Sequence, residues 1–204
     1  MSKTQRSTRS TRPPNSPTRR GRVSPKRRDR RMVWIAAGVG LALVVALAVV
    51  LARRGQSGNV AGVQTFTLPA GHTTAPVTYP QTPPAGGTHN PVWQNCGAYS
   101  QPIQNENAVH SLEHGAAWIT YRPDLPADQI QQLRDLVKNR SYTLLSPYPG
   151  LPAPVFASAW GAQLQVDNAS DPRLAQFLTT YVLGKQAPEP GASCSGGTSA
   201  AAGG

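Results

Sequence analysis

The sequence has few of the residues that mark several common activities. It contains two cysteines and two methionines, and the methionines are Met1 and Met32. The chain after residue 54 therefore has no thioether, which excludes a Met-rich copper(I) site there. A G-x-S-x-G elbow, a P-loop and a dinucleotide-binding glycine motif are also absent, so the sequence gives no sign of serine-hydrolase or nucleotide chemistry.

Basic residues are scarce in most of the chain. Twelve of the 20 Lys and Arg residues lie within 1–31, opposed only by Asp29, and Arg53 and Arg54 follow soon afterwards. From residue 55 onward six basic residues face eight acidic ones, a net charge near −2. The formal charge of +11 thus belongs to the N-terminal tail, and a folded nucleic-acid-binding surface is not expected.

Charged residues are absent from the 21 positions of 32–52. A helix of that length is about 30 Å long, which matches a bilayer core, and it satisfies its own backbone groups in lipid. We therefore predict one transmembrane helix over 32–52, followed by a linker over 53–64. The alternative is a cleaved signal peptide, whose apolar stretch is normally about 7–15 residues with a small-residue cleavage site, whereas this run ends in Arg53-Arg54.

The excess of basic residues on the N-terminal side of this run predicts its orientation. Lys and Arg are retained in the cytoplasm, so residues 1–31 should form a cytoplasmic tail and the rest of the chain should face outward. The tail is Ser-, Thr-, Pro- and Arg-rich, which indicates disorder and contact with anionic membrane lipid. Nucleic acid is not an expected partner.

The remaining sequence predicts a small extracytoplasmic α+β domain. Four strands are predicted, at 115–121, 141–146, 154–160 and 163–166. One amphipathic helix is predicted to follow Asp124 and to include Val137, and a second to begin at Asp171-Pro172 and stop at Gly184. The order β, α, β, β, β, α indicates two helices packed on a mainly antiparallel sheet.

Proline and glycine set the limits of this domain. The segment 65–102 is crowded with both residues and is expected to wrap the core as extended loops. The folded domain is therefore placed at 65–195. The Gly-, Ala- and Ser-rich end, 196–204, is predicted to be a disordered tail.

The two cysteines, Cys96 and Cys194, lie near the two ends of the folded region. On the outward side of a membrane disulfides persist, and a bridge closing a loop of about 100 residues stabilises by about 4–5 kcal/mol. Metal thiolates or two free thiols are the alternatives. The absence of a C-x-x-C motif argues against a thioredoxin-like redox site.

Three histidines lie in motifs that can bind a metal ion. If residues 106–114 form a short helix, His110 and His114 lie four positions apart on one face and can share one ion. His89 is the candidate third ligand, and Glu113 is the next. Imidazole combined with a carboxylate suits zinc or copper(II).

Two other interpretations of these residues remain open. The run H-S-L-E-H, residues 110–114, matches the H-x-x-E-H pattern of inverted zinc peptidases, in which the Glu is a general base on a metal-bound water. The residues before Gly115 leave room only for a short helix, which favours a binding role over an enzyme. In the other interpretation, His110, Glu113 and His114 form a hydrogen-bonded polar cluster in a module that docks on a protein of the cell envelope.

The chain resembles a family of membrane-anchored bacterial proteins, the domain of unknown function 3105. The resemblance rests on these motifs: Pro83-Pro84, Gly87-x-His89, Trp93, Gly97-x-Tyr99, Val109-His110-x-Leu112-Glu113-His114-Gly115, Tyr148-Pro149-Gly150-Leu151-Pro152, Ala159-Trp160-Gly161 and Pro188-Glu189-Pro190-Gly191. They span most of 65–194. The family has no established activity, so the resemblance supports the domain boundary and the interest of the histidine motifs without naming a substrate.

A reporter enzyme fused after Gly204 tests the predicted topology. Because twelve basic residues precede the apolar run and two follow it, a reporter that works only in an oxidising compartment should be active in this fusion. The matched control is a fusion after Arg31, ahead of the run, which should be inactive. A reporter after Gly204 that works only in the cytosol would refute the predicted orientation.

Overall fold

The computed structural model describes residues 60–203. The predicted basic tail at 1–31 and the predicted transmembrane helix at 32–52 lie outside the described residues, as does most of the predicted linker at 53–64. Within residues 60–203, every helix is too short and too polar to cross a bilayer.

Residues 60–203 form eight strands and three helices. The strands are β1 (Gln64–Thr65), β2 (Gly71–His72), β3 (Thr88–His89), β4 (Gly97–Ala98), β5 (Ala117–Tyr121), β6 (Thr143–Pro147), β7 (Val155–Ala159) and β8 (Ala162–Val166). The helices are α1 (Asn105–Glu113), α2 (Ala127–Val137) and α3 (Pro172–Tyr181). The four strands predicted from periodicity correspond to β5 to β8, with ends that differ by one or two residues.

The main sheet is mixed, with the strand order β1-β8-β7-β5-β6-β4. The β1–β8, β8–β7 and β7–β5 pairs are antiparallel, whereas the β5–β6 and β6–β4 pairs are parallel. Parallel neighbours need a long crossover connection, and α2 supplies it between β5 and β6. The predicted α+β class is confirmed, and antiparallel pairs are the majority in the main sheet. A second sheet joins β2 to β3 in parallel.

Both faces of the main sheet are covered. Ile119 of β5 lies in one apolar cluster with Leu133 of α2 and Phe177 of α3. Its neighbour Trp118 lies in a second cluster with Leu112 of α1. Because successive strand residues point to opposite faces, α1 packs on one side of the sheet and α2 and α3 on the other. The domain therefore has three layers, and β5 is buried along its whole length.

The prediction of two helices is wrong, because the described residues contain a third, α1. The sequence suggests this helix only indirectly, because His110 and His114 can share one ion if residues 106–114 are helical. Its polar residues His110, Ser111 and Glu113 are buried together with Val109 and Leu112, so the polarity of the sequence does not distinguish the buried face of this helix from its exposed face. The side chain of its N-cap residue, Gln104, also makes no capping hydrogen bond. Packing against the sheet, rather than local sequence preference, stabilises it.

Helix α3 begins where the sequence predicts. The side chain of Asp171 accepts a hydrogen bond of 2.9 Å from the backbone N–H of Arg173, and Pro172 occupies the first turn. The Asp171 carboxylate also pairs with the Arg173 guanidinium at 2.7 Å. The helix ends at Tyr181, ahead of the predicted stop at Gly184, and Leu183 then turns the chain with a φ of 54°.

Replacing Asp171 by Ala should lower the free energy of unfolding by about 1 kcal/mol, because the helix loses its capping acceptor. Asp171→Asn keeps an acceptor oxygen and removes the charge, so it should cost less. The hydrogen bond from Arg173 holds the pKa of Asp171 below its ordinary value. The advantage of wild type over the Asn variant should therefore exist at neutral pH and disappear as the pH falls through that lowered pKa.

Chemical denaturation of the three proteins at neutral and acid pH measures both effects. Equal stability of the wild type and the Ala variant at neutral pH would show that the cap contributes nothing.

Candidate metal centre

Helix α1 and the two short strands of the second sheet bring four donor side chains together. In the parallel β2–β3 pair, His72 lies directly opposite His89. The backbone N–H of Thr73 donates to the carbonyl of His89 at 2.7 Å, which extends this pairing by one bond. His110 and Glu113, three positions apart on α1, face the same point.

One donor atom from each of the four residues lies within 4.8 Å of all the others. Glu113 Oε2 is 2.9 Å from His89 Nε2, 3.6 Å from His72 Nε2 and 4.0 Å from His110 Nε2. We call these residues, His72, His89, His110 and Glu113, the His–Glu cluster. Its donors are close enough to share one metal ion.

The members of the cluster differ sharply in burial. The side chain of His89 is 0% exposed, that of Glu113 is 6% exposed and that of His110 is 7% exposed. The side chain of His72 is 51% exposed. Three donors thus form a buried base, and His72 lies on the side that faces solvent.

Backbone carbonyls fix the orientation of the buried imidazoles. His89 Nδ1 donates to the carbonyl of Gly87 at 2.7 Å, and His110 Nδ1 donates to that of Asn90 at 2.7 Å. A carbonyl oxygen only accepts, so the proton of each neutral ring is on Nδ1 and the lone pair is on Nε2. Metal-binding histidines are typically held in this way. Both lone pairs therefore point at the cluster.

Glycine conformations at two positions shape the backbone next to the cluster. Gly86 has a φ of 134°, and a Cβ at this position would lie 3.2 Å from the Trp160 ring, so the loop ahead of His89 can approach the core closely. Gly115 has a φ of 94°, and a Cβ there would lie 3.2 Å from the backbone of Leu183. Glycine thus allows α1 to stop immediately after the cluster.

Without a cation, two hydrogen-bond acceptors of the cluster face each other. In its neutral form His89 would direct a lone pair at the Glu113 carboxylate 2.9 Å away. Burial lowers the pKa of His110, because the desolvated ring resists charging, and the neighbouring His114 and His89 act in the same direction. His110 therefore stays neutral and keeps its Nε2 lone pair. A proton or a metal ion between His89 and Glu113 removes the conflict.

The structure brings together three of the four metal ligands predicted from the sequence: His89, His110 and Glu113. His114 lies beside His110, with 2.9 Å between the two Nε2 atoms, and its Nδ1 donates to the carbonyl of Ser193 at 2.6 Å. It is not one of the four donors that lie within 4.8 Å of one another.

Sequence reasoning missed His72. This histidine lies in a proline- and glycine-rich stretch where no periodicity indicates a strand, and its partner His89 is 17 positions away. The one signal available was the count of histidines, because four occur in the chain and the motifs used only three.

The C-terminal segment 189–194 holds the end of α1. The N–H groups of Glu189 and Gly191 donate to the carbonyls of Glu113 and His114, both at 3.0 Å. Cys96 and Cys194 are at disulfide distance, with Cα atoms 5.4 Å apart, and the Cys96 N–H donates to the Cys194 carbonyl at 2.8 Å. The cysteine pair thus fixes the segment that orients His114.

Hydrogen bonds continue beyond the predicted domain end at 195. The N–H of Asn95 donates to the carbonyl of Thr198 at 2.7 Å, and the N–H of Ala202 donates to that of Pro102 at 2.8 Å. The final residues that the structure describes therefore run along the segment 93–102, which precedes α1.

Removing the cysteine pair should destabilise the domain. Cys96→Ser should lower the free energy of unfolding by about 2–5 kcal/mol, because the loop between the cysteines is then no longer closed in the unfolded chain. Denaturation with and without a reducing agent measures the loss. The double variant Cys96→Ser/Cys194→Ser is the matched control and should be no less stable than the single variant. A Cys96→Ser protein as stable as wild type would show that no bond forms.

Comparison with known proteins agrees with the resemblance seen in the sequence. Neither the curated proteins nor the solved structures gave a match. A family model described as protein of unknown function (DUF3105) matches residues 72–196, which is more than half of the chain and includes the whole His–Glu cluster. The suspected family is confirmed, and the chain belongs to the DUF3105 family.

Proposed function

We propose that this domain is a metal-binding module that holds one divalent transition-metal ion through the His–Glu cluster. The observation that carries the proposal is the convergence of lone pairs. His89 and His110 each use Nδ1–H on a backbone carbonyl, so their Nε2 atoms and the Glu113 carboxylate meet as acceptors in a buried space. A cation satisfies all of these acceptors together.

The distances between the donor atoms support an ion that is bound by four ligands. An ion bound tetrahedrally, with ligand bonds of about 2.0–2.1 Å, holds its ligand atoms about 3.3 Å apart. The distances from Glu113 Oε2 to the three imidazoles, 2.9, 3.6 and 4.0 Å, lie on both sides of that value. Small rotations of the side chains bring these donors to bonding distance.

The donor set favours zinc or copper(II). Three imidazole nitrogens and one carboxylate oxygen suit these borderline ions, whereas magnesium and calcium prefer a shell of oxygen atoms. The residues between 60 and 203 include no methionine, so no thioether competes for copper(I). Copper(II) should bind more tightly than zinc, as it does at most nitrogen and oxygen sites.

The cluster favours binding over hydrolysis. Glu113 faces three imidazoles at short range, which suits a ligand more than a free general base. Four surface grooves of about 190 to 360 Å³ are lined by other residues. None of the four cluster residues lines any of these four grooves, so the grooves give no support for a substrate site at the cluster.

The proposal includes a location outside the cytoplasmic membrane. The 21 uncharged residues at 32–52 and the basic tail ahead of them support a membrane anchor with the domain facing outward. The cysteine pair supports the same side, because disulfides persist in oxidising compartments. The domain would then meet its ion at the cell envelope.

The purified full-length protein should bind one equivalent of Zn²⁺ or Cu²⁺. His89→Ala should weaken binding by more than about 100-fold, beyond the 10–100-fold loss typical of removing an outer partner. His114→Ala is the matched control. It removes a buried imidazole that lies beside His110 and outside the four-donor group, so the variant should keep one equivalent with an affinity within about tenfold of wild type.

Calorimetric titration and elemental analysis measure both numbers. Two results would reject the metal site: a wild-type protein that binds no ion, or a His89→Ala protein that loses thermal stability while both the stoichiometry and the affinity for the metal are unchanged. The second result would favour a polar cluster that only stabilises the loop.

A further inference from the structure

His72 differs from the other imidazoles of the cluster in what holds it. His89 and His110 are each fixed by a carbonyl that accepts from Nδ1. Among residues 60–203, no hydrogen bond to a ring nitrogen of His72 is found, and its contact with Glu113 is longer, at 3.6 Å. A ligand without an outer partner is less well oriented and binds more weakly.

The backbone that carries His72 is anchored near the cluster while the side chain stays open to solvent. In the segment 71–79, the N–H of Thr73 donates to the carbonyl of His89 at 2.7 Å and that of Val77 to Glu106 Oε1 at 2.9 Å. The Tyr79 hydroxyl donates to the carbonyl of Thr88 at 2.8 Å. The imidazole of His72 can therefore leave the cluster by side-chain rotation alone, with these three bonds intact.

The space that His72 occupies suits a planar ring. Its imidazole lies 5.0 Å from that of His110 with an interplanar angle of 33°, and 4.7 Å from that of His89 with an angle of 89°. The His72 ring is thus tilted relative to the His110 ring and nearly perpendicular to the His89 ring, a position that one imidazole fills. A small imidazole from solution can enter the same position.

We infer that His72 is the exchangeable ligand of the metal site, and that the ion is loaded and released through a step in which a small imidazole-bearing molecule replaces it. The bond from the metal to His72 Nε2 breaks as the bond to the incoming nitrogen forms. Both donors are neutral, so the charge at the metal does not change. His89, His110 and Glu113 keep the ion during the exchange. This inference rests on the proposed function and extends it from storage to transfer of the ion.

The rate at which a chromogenic chelator removes Zn²⁺ from the loaded full-length protein tests the inference. His72→Ala should release zinc at least about tenfold faster than wild type, because the ion loses its outermost ligand. Thr74→Ala is the matched control, since Thr74 is an exposed neighbour on the same segment, and it should release zinc at the wild-type rate. Equal thermal midpoints would show that both variants are folded.

Chemical rescue separates a ligand from a merely structural residue. Millimolar imidazole should fill the vacated position in His72→Ala and slow zinc release several-fold, with no such slowing in Thr74→Ala. The inference is overturned if His72→Ala releases zinc at the control rate, or if its release is faster and imidazole leaves it unchanged. A wild-type protein that cannot be loaded would instead reject the proposed function itself. If wild type and His72→Ala can be loaded with zinc and His89→Ala cannot, the proposed function stands, and the release rates alone decide the inference.

Discussion

A carboxylate buried in a protein interior needs a cation or a proton beside it, because desolvating an unpaired charge costs several kcal/mol. Glu113 is in this position at the end of α1, where only 4% of the residue is exposed. The groups in front of its carboxylate are imidazoles, and His89 and His110 have already committed their Nδ1 proton to a backbone carbonyl. The need to balance Glu113 therefore determines the chemistry that this part of the domain can support.

The layered fold keeps this arrangement rigid. Helix α1 is packed on the sheet through Leu112 and Trp118, so Glu113 cannot turn outward without disrupting an apolar cluster. The segment 189–194 binds the last carbonyls of the same helix, and Cys194 is at disulfide distance from Cys96. On the other side, the 86–90 loop provides the carbonyls that orient the rings. One helix and two short strands thus carry the donors, and the three-layer core together with the flanking loops fixes their positions.

The burial of the cluster is graded, and this gradient distinguishes an exchangeable site from a purely structural one. A structural zinc site is closed by four well-held protein ligands. Here three donors are less than a tenth exposed, whereas about half of the His72 side chain is open to solvent. The exposed donor is also the one that the outer hydrogen bonds leave unfixed. In the proposed function, the stability of a bound ion and the access to it would therefore depend on different residues of one site.

The sequence by itself determined the α+β class, the positions of β5 to β8 and the start of α3 at Asp171, because short-range periodicity, turn residues and capping encode these features locally. The family was identified separately, from the resemblance of its motifs. The sequence also indicated His110 through its spacing from His114, and His89 and Glu113 as the candidates for a further ligand. It did not reveal α1 as a definite element, since this helix buries polar residues such as His110 and Glu113 together with its apolar ones. The membership of His72 and the position of His114 beside His110 were decided only by tertiary structure. A two-residue strand pair brings His72 opposite His89 across 17 positions, and such long-range pairing depends on the folded core rather than on the residues around each histidine.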